Sequence, residues 1–545
     1  MSQIPCNPSS LSLSNAAQSD LNIAHVNCNS ITAENRLSDL ELFLSMNSID
    51  VVCLTETKLD CTVNQSLYSL DGYHDPLVRH RDRFGGGVAV LAKDNIAIKR
   101  LPDLELSDIE WIWLLVKTET ATIIICTVYL PPNLTSAQHN DFLQKLNDSV
   151  ANAQRLSTDC IIILGDLNAG SNFLAPQFTN HSPITSFENK LKDEIISFDM
   201  HQLITEPTRR SNSTANLRDL IIVSNPFIVR RSGVMSPFSK IDHFPVFLTL
   251  NITPPSRTTH IRQMWDYKRM DPDILVRRIL DTDWDSVLDG DVNDATSKLT
   301  ETLLYAANEA IPRRHVMTKK HDKPWVTSDL KKQIRKRDRL FRLAKKRDKD
   351  FDWSCWRHQR NITTDLNKRL KESYIQSQAH KLLETKQNAH KYHQILKGMV
   401  GKKRIQTIPP LIDSNGSPVM NDVDKANILN NFFADQTKLD TTDKTLPDIT
   451  PSISPPLQLR EVQVTEPEVL KALKSLNVNK STGPDEIPTK FLKMTALLIA
   501  DPLTKLFNKI LQAGIYPTSW KVATVTAIYK RKGSSSDPSN YWPIS

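Results

Sequence analysis

From Leu21 to about Ile252, short apolar runs alternate with stretches in which apolar residues recur three and four apart. Leu21 to Val26 and Val51 to Leu54 have the composition of buried strands, and between them Leu37, Leu40 and Leu44 fall on one face of a helix. A Gly85-Gly86-Gly87 turn is followed by a strand-like run to Leu91, and Trp111 to Val116 with Thr122 to Tyr129 reads as a paired ladder. Ile161 to Leu164 and Phe244 to Leu250 complete an α/β domain with many strands. Pro254 and Pro255 punctuate its end, and the pattern becomes helical and increasingly charged. From Asp329 to Lys346 the residues Leu330, Ile334, Phe341 and Ala344 form one stripe, with Thr327 or Ser328 as N-cap, and a second helix is expected over Thr363 to Lys386. A polar, Pro-rich stretch follows, then a helix over Glu466 to Leu476 and further helices to Gln512. Asp501-Pro502 reads as a helix restart, Gly514 as a stop, and Val522 to Tyr529 as a strand. The expected organisation is a disordered N-terminus over 1–20, an α/β domain over 21–252, a basic helical connector over 253–440, a linker over 441–457 and a last domain over 458–545.

Length agrees with that division, since 545 residues exceed one ordinary core. The apolar runs are far shorter than the roughly 20 residues a membrane helix needs, so no membrane partner is expected. No basic stretch followed by an apolar one opens the chain, and the seven cysteines contain no Cys-x-x-Cys pair. Buried reduced thiols and an intracellular setting are expected, in the nucleus with cytoplasmic transit. The formal charge of +8 conceals an asymmetry: between Arg313 and Arg404 there are 28 Lys and Arg against nine Asp and Glu. So concentrated a positive stretch suits a phosphate polymer. Trp325, Trp353 and Trp356 lie among these cations, where they can pack beneath helices or stack on bases.

The chemistry-bearing residues cluster where strands end. Asn27 closes His25-Val26-Asn27, Glu56 follows Val51 to Leu54, and Tyr129 ends its strand ahead of Pro131-Pro132. Asp166 and Asn168 stand in Gly165-Asp166-Leu167-Asn168, Asp219 precedes Leu220 to Val223, and Asp242-His243 precedes the next strand. Cleaving a phosphodiester needs a hard cation on oxygen ligands, a base for water, and donors for the charge that develops. Each residue alone is commonly a cap, a turn or a surface charge; the set in this order points to a phosphoesterase.

The motifs His25-Val26-Asn27-Cys28-Asn29, Thr55-Glu56-Thr57, Val128-Tyr129-Leu130-Pro131, Gly165-Asp166-Leu167-Asn168, Glu206-Pro207-Thr208-Arg209, Leu217-Arg218-Asp219-Leu220 and Ser239-Lys240-Ile241-Asp242-His243 span the first domain. In them the segment resembles the endonuclease/exonuclease/phosphatase superfamily, and the whole chain resembles the polyprotein of a non-LTR retrotransposon of the jockey type. The resemblance implies a four-layer, two-sheet α/β (α+β) sandwich using Mg²⁺ or Mn²⁺. Glu56 is then the main metal ligand, Asn27 helps place the metal or the phosphate, and Asp242 supports the metal or the neighbouring histidine. Asp166 orients and deprotonates water, Asn168 and Tyr129 donate to the phosphate, and His243, held by Asp219, stabilises the transition state.

The last hundred residues resemble the fingers of a reverse transcriptase in Asn479-Lys480-Ser481-Thr482-Gly483-Pro484-Asp485, Pro517-Thr518-Ser519-Trp520-Lys521 and Asn540-Tyr541-Trp542-Pro543-Ile544-Ser545. Ala527 stands where the family has Pro, and Trp542 where it has Arg. The chain contains no Asp-Asp dipeptide, so a truncated polymerase without activity is expected. The expected function is a metal-dependent, apurinic-like DNA endonuclease that leaves a 3′-hydroxyl for target-primed reverse transcription. A phosphatase of the same fold and a non-catalytic nucleic-acid-binding remnant are the rivals. DNA as target and RNA as template are the expected partners, with Thr208, Arg209, Lys331, Lys332, Arg335 and Arg337 as candidate nucleic-acid contacts.

Overall fold

The structure, a computed structural model, describes residues 20–106, 108–174, 185–210, 214–255, 261–317, 323–384, 392–393, 395–396, 408–438, 462–480, 482–530 and 532–545. The expected N-terminal tail up to residue 19 and the linker over 441–457 lie outside the described residues. The chain divides into two compact units, Met1–Arg257 with His321–Ile428, and Thr258–Lys320 with Leu429–Ser545. The stretch expected as one connector is therefore shared between them. Its apolar stripes belong to different cores: Phe341, Ala344, Trp353 and Trp356 join that of the first unit, and Ala295 to Ile311 that of the second.

In the first unit the strands are β1 (Leu21–Asn27), β2 (Val51–Thr55), β3 (Leu77–Arg79), β4 (Val88–Ala92), β5 (Ala97–Arg100), β6 (Glu110–Lys117), β7 (Thr122–Tyr129), β8 (Cys160–Asp166), β9 (His201–Gln202), β10 (Arg209–Arg210), β11 (Ala215–Asn216), β12 (Asp219–Val223), β13 (Val229–Val234) and β14 (Val246–Leu250). One six-stranded sheet has the order β13-β14-β1-β2-β4-β3 and the other β5-β6-β7-β8-β12-β9. Each contains one parallel pair, β1–β2 and β7–β8, among antiparallel neighbours. Period-2 alternation sorts the side chains into layers. Leu21, Ile23, Val51, Cys53, Val88 and Val90 meet the second sheet in the inner core, whereas Ala24, Val26, Val52, Leu54, Ala89 and Leu91 pack with Leu40, Phe43 and Leu44 of helix α1 (Arg36–Met46). Helices α2 (Ser136–Gln154) and α3 (Ser186–Ser197) pack with the second sheet, each started by a capping box, Thr135 with Gln138 and Thr185 with Glu188. The two-sheet, helix-flanked sandwich expected from the sequence is the observed fold.

Two long helices complete this unit. Ser328–Arg347 starts at Thr327, whose Oγ1 accepts from Leu330 N (3.2 Å), and buries Leu330, Ile334, Phe341 and Ala344, the stripe read from the sequence. The helix that follows runs over Asp350–Glu384, thirteen residues further toward the N-terminus than expected. Asp348, in the left-handed region at φ 50°, turns the chain between the two helices, and its carboxylate accepts from Trp353 Nε1 (2.8 Å). Phe244, at the foot of β14, sits within an aromatic cluster with Phe341, Trp353 and Trp356, at centroid distances of 5.2–5.9 Å. These tryptophans are buried core residues of the first unit, packed beneath the helices.

The second unit is mainly helical. Helices Pro272–Leu280, Val292–Ala310, Glu466–Ser475 and Ala496–Ala513 enclose a core that includes Leu275, Leu299, Leu303, Val469, Phe491, Ile499 and Leu506. Antiparallel pairs join Ile261–Trp265 with Arg313–Met317, and Thr526–Tyr529 with Tyr541–Ile544. Asp501-Pro502 does not restart a helix, because Ala496–Ala513 runs through Pro502 to Gly514 at φ 62°. Interior proline costs a helix ~3 kcal/mol or more. Burying Ile499, Leu503 and Leu506 at about 1.5–3 kcal/mol each offsets it.

Candidate active site

Strand register assembles the site. β7, β8 and β12 lie side by side with Tyr129 opposite Asp166 and Asp166 opposite Asp219, so three polar residues form one row across the end of the sheet. Two residues back, Thr127, Leu164 and Ile221 form the next, buried row of the same face. On β1, His25 and Asn27 continue the inward face begun by Leu21 and Ile23, which brings them over that polar row. Asn27 Nδ2 closes the gap between the sheets, donating to Asp166 Oδ2 (2.9 Å) and to Glu56 Oε1 (2.8 Å).

The loops after the strands are tightly constrained. Glu56 and Asn168 both adopt left-handed conformations, at φ 49° and 50°. Such strain costs a non-glycine residue about 1–3 kcal/mol and persists where surrounding bonds over-determine it. Beyond Glu56, Thr57 N and Lys58 N donate to Gly87 O and Gly86 O (3.2 and 3.0 Å). Asn168 N donates to Asp166 Oδ1 (3.1 Å), Asn168 Nδ2 to Leu130 O (2.9 Å), and Arg218 Nη1 to Asn168 O (2.7 Å). Glu188 accepts from Gly170 N and Ser171 N (3.0 and 2.9 Å), tying α3 to the same loop. A Cβ on Gly165 would lie 1.8 Å from Val128 O, so the glycine of the Gly-Asp-x-Asn run lets β7 and β8 approach.

Charge is held deep in the site. Asp219 lies between two histidines, with Oδ2 accepting from His243 Nδ1 (2.9 Å) and Oδ1 3.4 Å from His25 Nδ1. Burial disfavours the ionised form of Asp219, but the His243 charge and its hydrogen bond hold the carboxyl below its ordinary value. Burial likewise works against the His243 imidazolium, and Asp219 overrides it, so that the ring's pKa rises to about 9. His25 is different: burial takes it down to about 4 against the pull of Asp219, and its neutral ring meets Thr55 Oγ1 through Nε2 (3.0 Å). Asp166 is pushed up to about 7 by burial and by the neighbouring Asp219 charge. The Tyr129 phenol is raised well above its usual range, by burial first and then by Glu56 and Asp166, and stays a neutral donor.

The structure thus brings together Asn27, Glu56, Tyr129, Asp166, Asp219 and His243, with Asn168 beside them. Among the described residues, Asp166, Asp219 and His243 are the one group of potential ligand atoms within 4.8 Å of one another. That trio is a poor cation site, because His243 Nδ1 is committed to Asp219 and the ring is protonated at neutral pH. A better donor set is the pair of Glu56 and Asp166 carboxylates, which Asn27 holds together by donating from Nδ2 to both while its Oδ1 accepts from Asn29 N (3.2 Å). Carboxylate oxygens converging in this way suit a hard divalent cation. Asp242, expected to support the metal or the neighbouring histidine, has its half-exposed carboxylate on Arg209 Nη2 (2.8 Å), and its charge adds to the rise of the His243 pKa.

Other expected contacts fall elsewhere. Thr208 is fully buried, and its Oγ1 accepts from Arg218 N and Asp219 N (3.0 Å each) while its hydroxyl bonds the Asp219 carboxylate, so its hydrogen bonds are made within the polar row. Arg337 is buried against Asp338, beneath the helix that was expected to display it, whereas Lys332 and Arg335 are exposed and Lys331 is half-buried. His25 was quoted in a motif without a role; its alternation with Asn27 along β1 was the signal that it belongs to the site.

Residues 22–257 match the model of the Endonuclease/Exonuclease/phosphatase family, so the first unit carries a domain of that family. Over nearly its whole length the chain is similar to proteins of mobile elements. It is 22% identical over 539 residues to the probable RNA-directed DNA polymerase from transposon X-element of Drosophila melanogaster, covering 94% of this chain and 55% of that protein. It is 23% identical over 530 residues to the RNA-directed DNA polymerase from mobile element jockey of the same organism, covering 93% and 54%. The chain spans about half the length of these relatives. Among solved structures, the endonuclease domain of TRAS1, a telomere-specific non-LTR retrotransposon, aligns with a TM-score of 0.35 at 11% identity, over 43% of this chain and 99% of that one. An AP endonuclease from Archaeoglobus fulgidus aligns at 0.34 and 16%, over 43% and 100%.

Proposed function

We propose that the first unit is a Mg²⁺- or Mn²⁺-dependent endonuclease that nicks one strand of DNA, with apurinic-type chemistry, and leaves a 3′-hydroxyl. In a longer protein like the mobile-element relatives, that hydroxyl would prime copying of an RNA template. This chain, without an Asp-Asp pair, would not polymerise nucleotides by itself. The observation that carries the reading is the Asn27 amide bridging Glu56 and Asp166 beside the Asp219–His243 pair.

Each group has a distinct task. Glu56, its carboxylate placed by Asn27 Nδ2, would hold the cation, whose charge, when bound, neutralises the phosphate under attack. Asp166, fixed by Asn27 Nδ2 and Asn168 N, orients water and takes its proton. His243 is pinned through Nδ1 to Asp219, which leaves Nε2 to donate to a phosphoryl oxygen as charge builds there. Tyr129, kept neutral, donates from the same row.

The test is supercoiled plasmid incubated with the full chain in Mg²⁺ or in chelator. Nicked circles whose ends an added DNA polymerase extends are expected in Mg²⁺ alone. Equal nicking in chelator, or ends that cannot be extended, would overturn the reading.

A further inference from the structure

A cleft of about 260 Å³ opens beside the catalytic row, where the residues before β14 meet the Asp350–Glu384 helix. Its floor is aromatic, formed by Phe244, Trp353 and Trp356, and its walls carry Arg210, Lys240, Arg357 and Arg360. Asp242 and Phe244 both line it, while the intervening His243 turns to Asp219, so the cleft lies one residue along the chain from the reactive row.

The cations are there by helical geometry. Trp353, Trp356, Arg360 and Thr363 recur three and four apart, and Arg357 follows Trp353 by four, so both arginines share the face that packs on the sandwich. Their charge is not balanced. Arg210 is paired with Asp348 (2.7 Å) and Lys240 with Asp365 (3.9 Å), whereas neither Arg357 nor Arg360 has a carboxylate partner among the described residues. Arg360 is half-buried over the Trp356 ring, 5.2 Å from its centroid, and meets only the amide oxygen of Asn361 through its guanidinium. Two half-buried guanidiniums side by side repel each other and are poorly solvated, and an arriving anion relieves both penalties. Arginine forks match phosphate oxygens in particular.

We propose that this cleft binds backbone phosphates of the DNA strand flanking the bond to be cut, which makes the appended helix part of the endonuclease's substrate surface. The inference rests on the endonuclease reading and extends it beyond the sandwich. DNA is the favoured occupant because the cleft's arginines Arg357 and Arg360 have no carboxylate partner among the described residues and its wall residues Asp242 and Phe244 flank His243 in the chain, where the scissile phosphate would lie.

The experiment measures binding of a short DNA duplex to the full chain without divalent metal, as fluorescence anisotropy over a salt series, for wild type and for Arg357→Gln with Arg360→Gln. Losing two phosphate contacts should weaken binding about tenfold and make the slope of log K against log salt shallower by about 2. Arg357→Lys with Arg360→Lys should keep the slope. Lys240→Glu, on the exposed rim, should weaken binding in the same direction even if the arginine pair is needed for folding. Unchanged affinity and slope in a folded glutamine variant, or in the Lys240 variant, would overturn the proposal. So would loss of binding to single-stranded RNA with duplex DNA binding intact. A wild type that binds DNA through these arginines yet never nicks would sink the endonuclease reading and leave the cleft standing.

Discussion

In the first unit His25, Asp166, Asp219 and His243 are each no more than 4% exposed and lie against one another, while the core of the second unit is built from Leu, Ile, Ala, Val and Phe, with its ion pairs outside. Lys505–Asp285 and Arg278–Glu309, for example, are solvent-facing pairs. Removing a carboxylate or an imidazolium from water costs several kcal/mol, and even a well-made buried pair often contributes less to stability than apolar side chains of the same volume. A unit that buries four titratable groups together is therefore arranged for something other than stability, and perturbed titratable groups at a strand-end rim are what proton transfer to and from a substrate requires. The second unit carries no comparable cluster among its described residues.

The apolar cores should respond alike. Trp356→Ala in the first unit and Phe491→Ala in the second each remove a buried aromatic ring, at 3% and 1% exposure, and each should cost about 3–5 kcal/mol in denaturant unfolding. A cost near zero for Trp356→Ala would mean that the two long helices are not part of the folded core. The charged residues should respond oppositely. His243→Ala or Asp166→Ala should slow nicking at least about a hundredfold, and Lys505→Ala should leave it unchanged. Equal rates for all three variants would erase the distinction between the units.

Smaller effects sharpen the contrast. Thr208→Val keeps the shape but leaves Arg218 N and Asp219 N without their acceptor, for about 1–3 kcal/mol of stability. Its nicking loss should be rescued by Thr208→Ser and not by added metal. The smallest is a pH effect. The folded His243 value of about 9 lies above the ordinary 6.5, so the stability drawn from its pairing with Asp219 is complete below about pH 6.5 and is lost as pH rises through 9. The difference in unfolding midpoint between wild type and His243→Asn should narrow across that window; a difference constant with pH would reject the charged pair.

Much of this site was legible because its residues stand at strand ends in short local motifs. Asn27, Glu56, Asp166, Asp219 and His243 could each be placed from the apolar run beside them, and period 2 along β1 already aligned His25 with Asn27. The stripe from Leu330 to Ala344 was equally local, as was the stop at Gly514. What the sequence left open depended on distant partners. Arg337 was expected on the surface, but the acidic groups beside it include Asp39, almost three hundred residues away. Thr208 was expected to touch nucleic acid, and only its position at the foot of β12 turns its hydroxyl to Asp219. The early start of the long helix depends on a left-handed Asp348, which no periodicity announces.

The central claim is that a divalent cation binds at Glu56, beside Asn27, and thermal melts of the full chain in a Mg²⁺ titration test it most directly. Metal bound only by the folded state at a hundred times its Kd stabilises by about 2.7 kcal/mol. Wild type should gain a metal-dependent rise in the melting transition of the first unit. Glu56→Gln, which keeps the side chain's shape and loses its charge, should melt as the metal-free wild type does at every Mg²⁺ concentration and should not nick DNA. An equal metal-dependent shift in wild type and Glu56→Gln would locate the cation elsewhere and contradict the account.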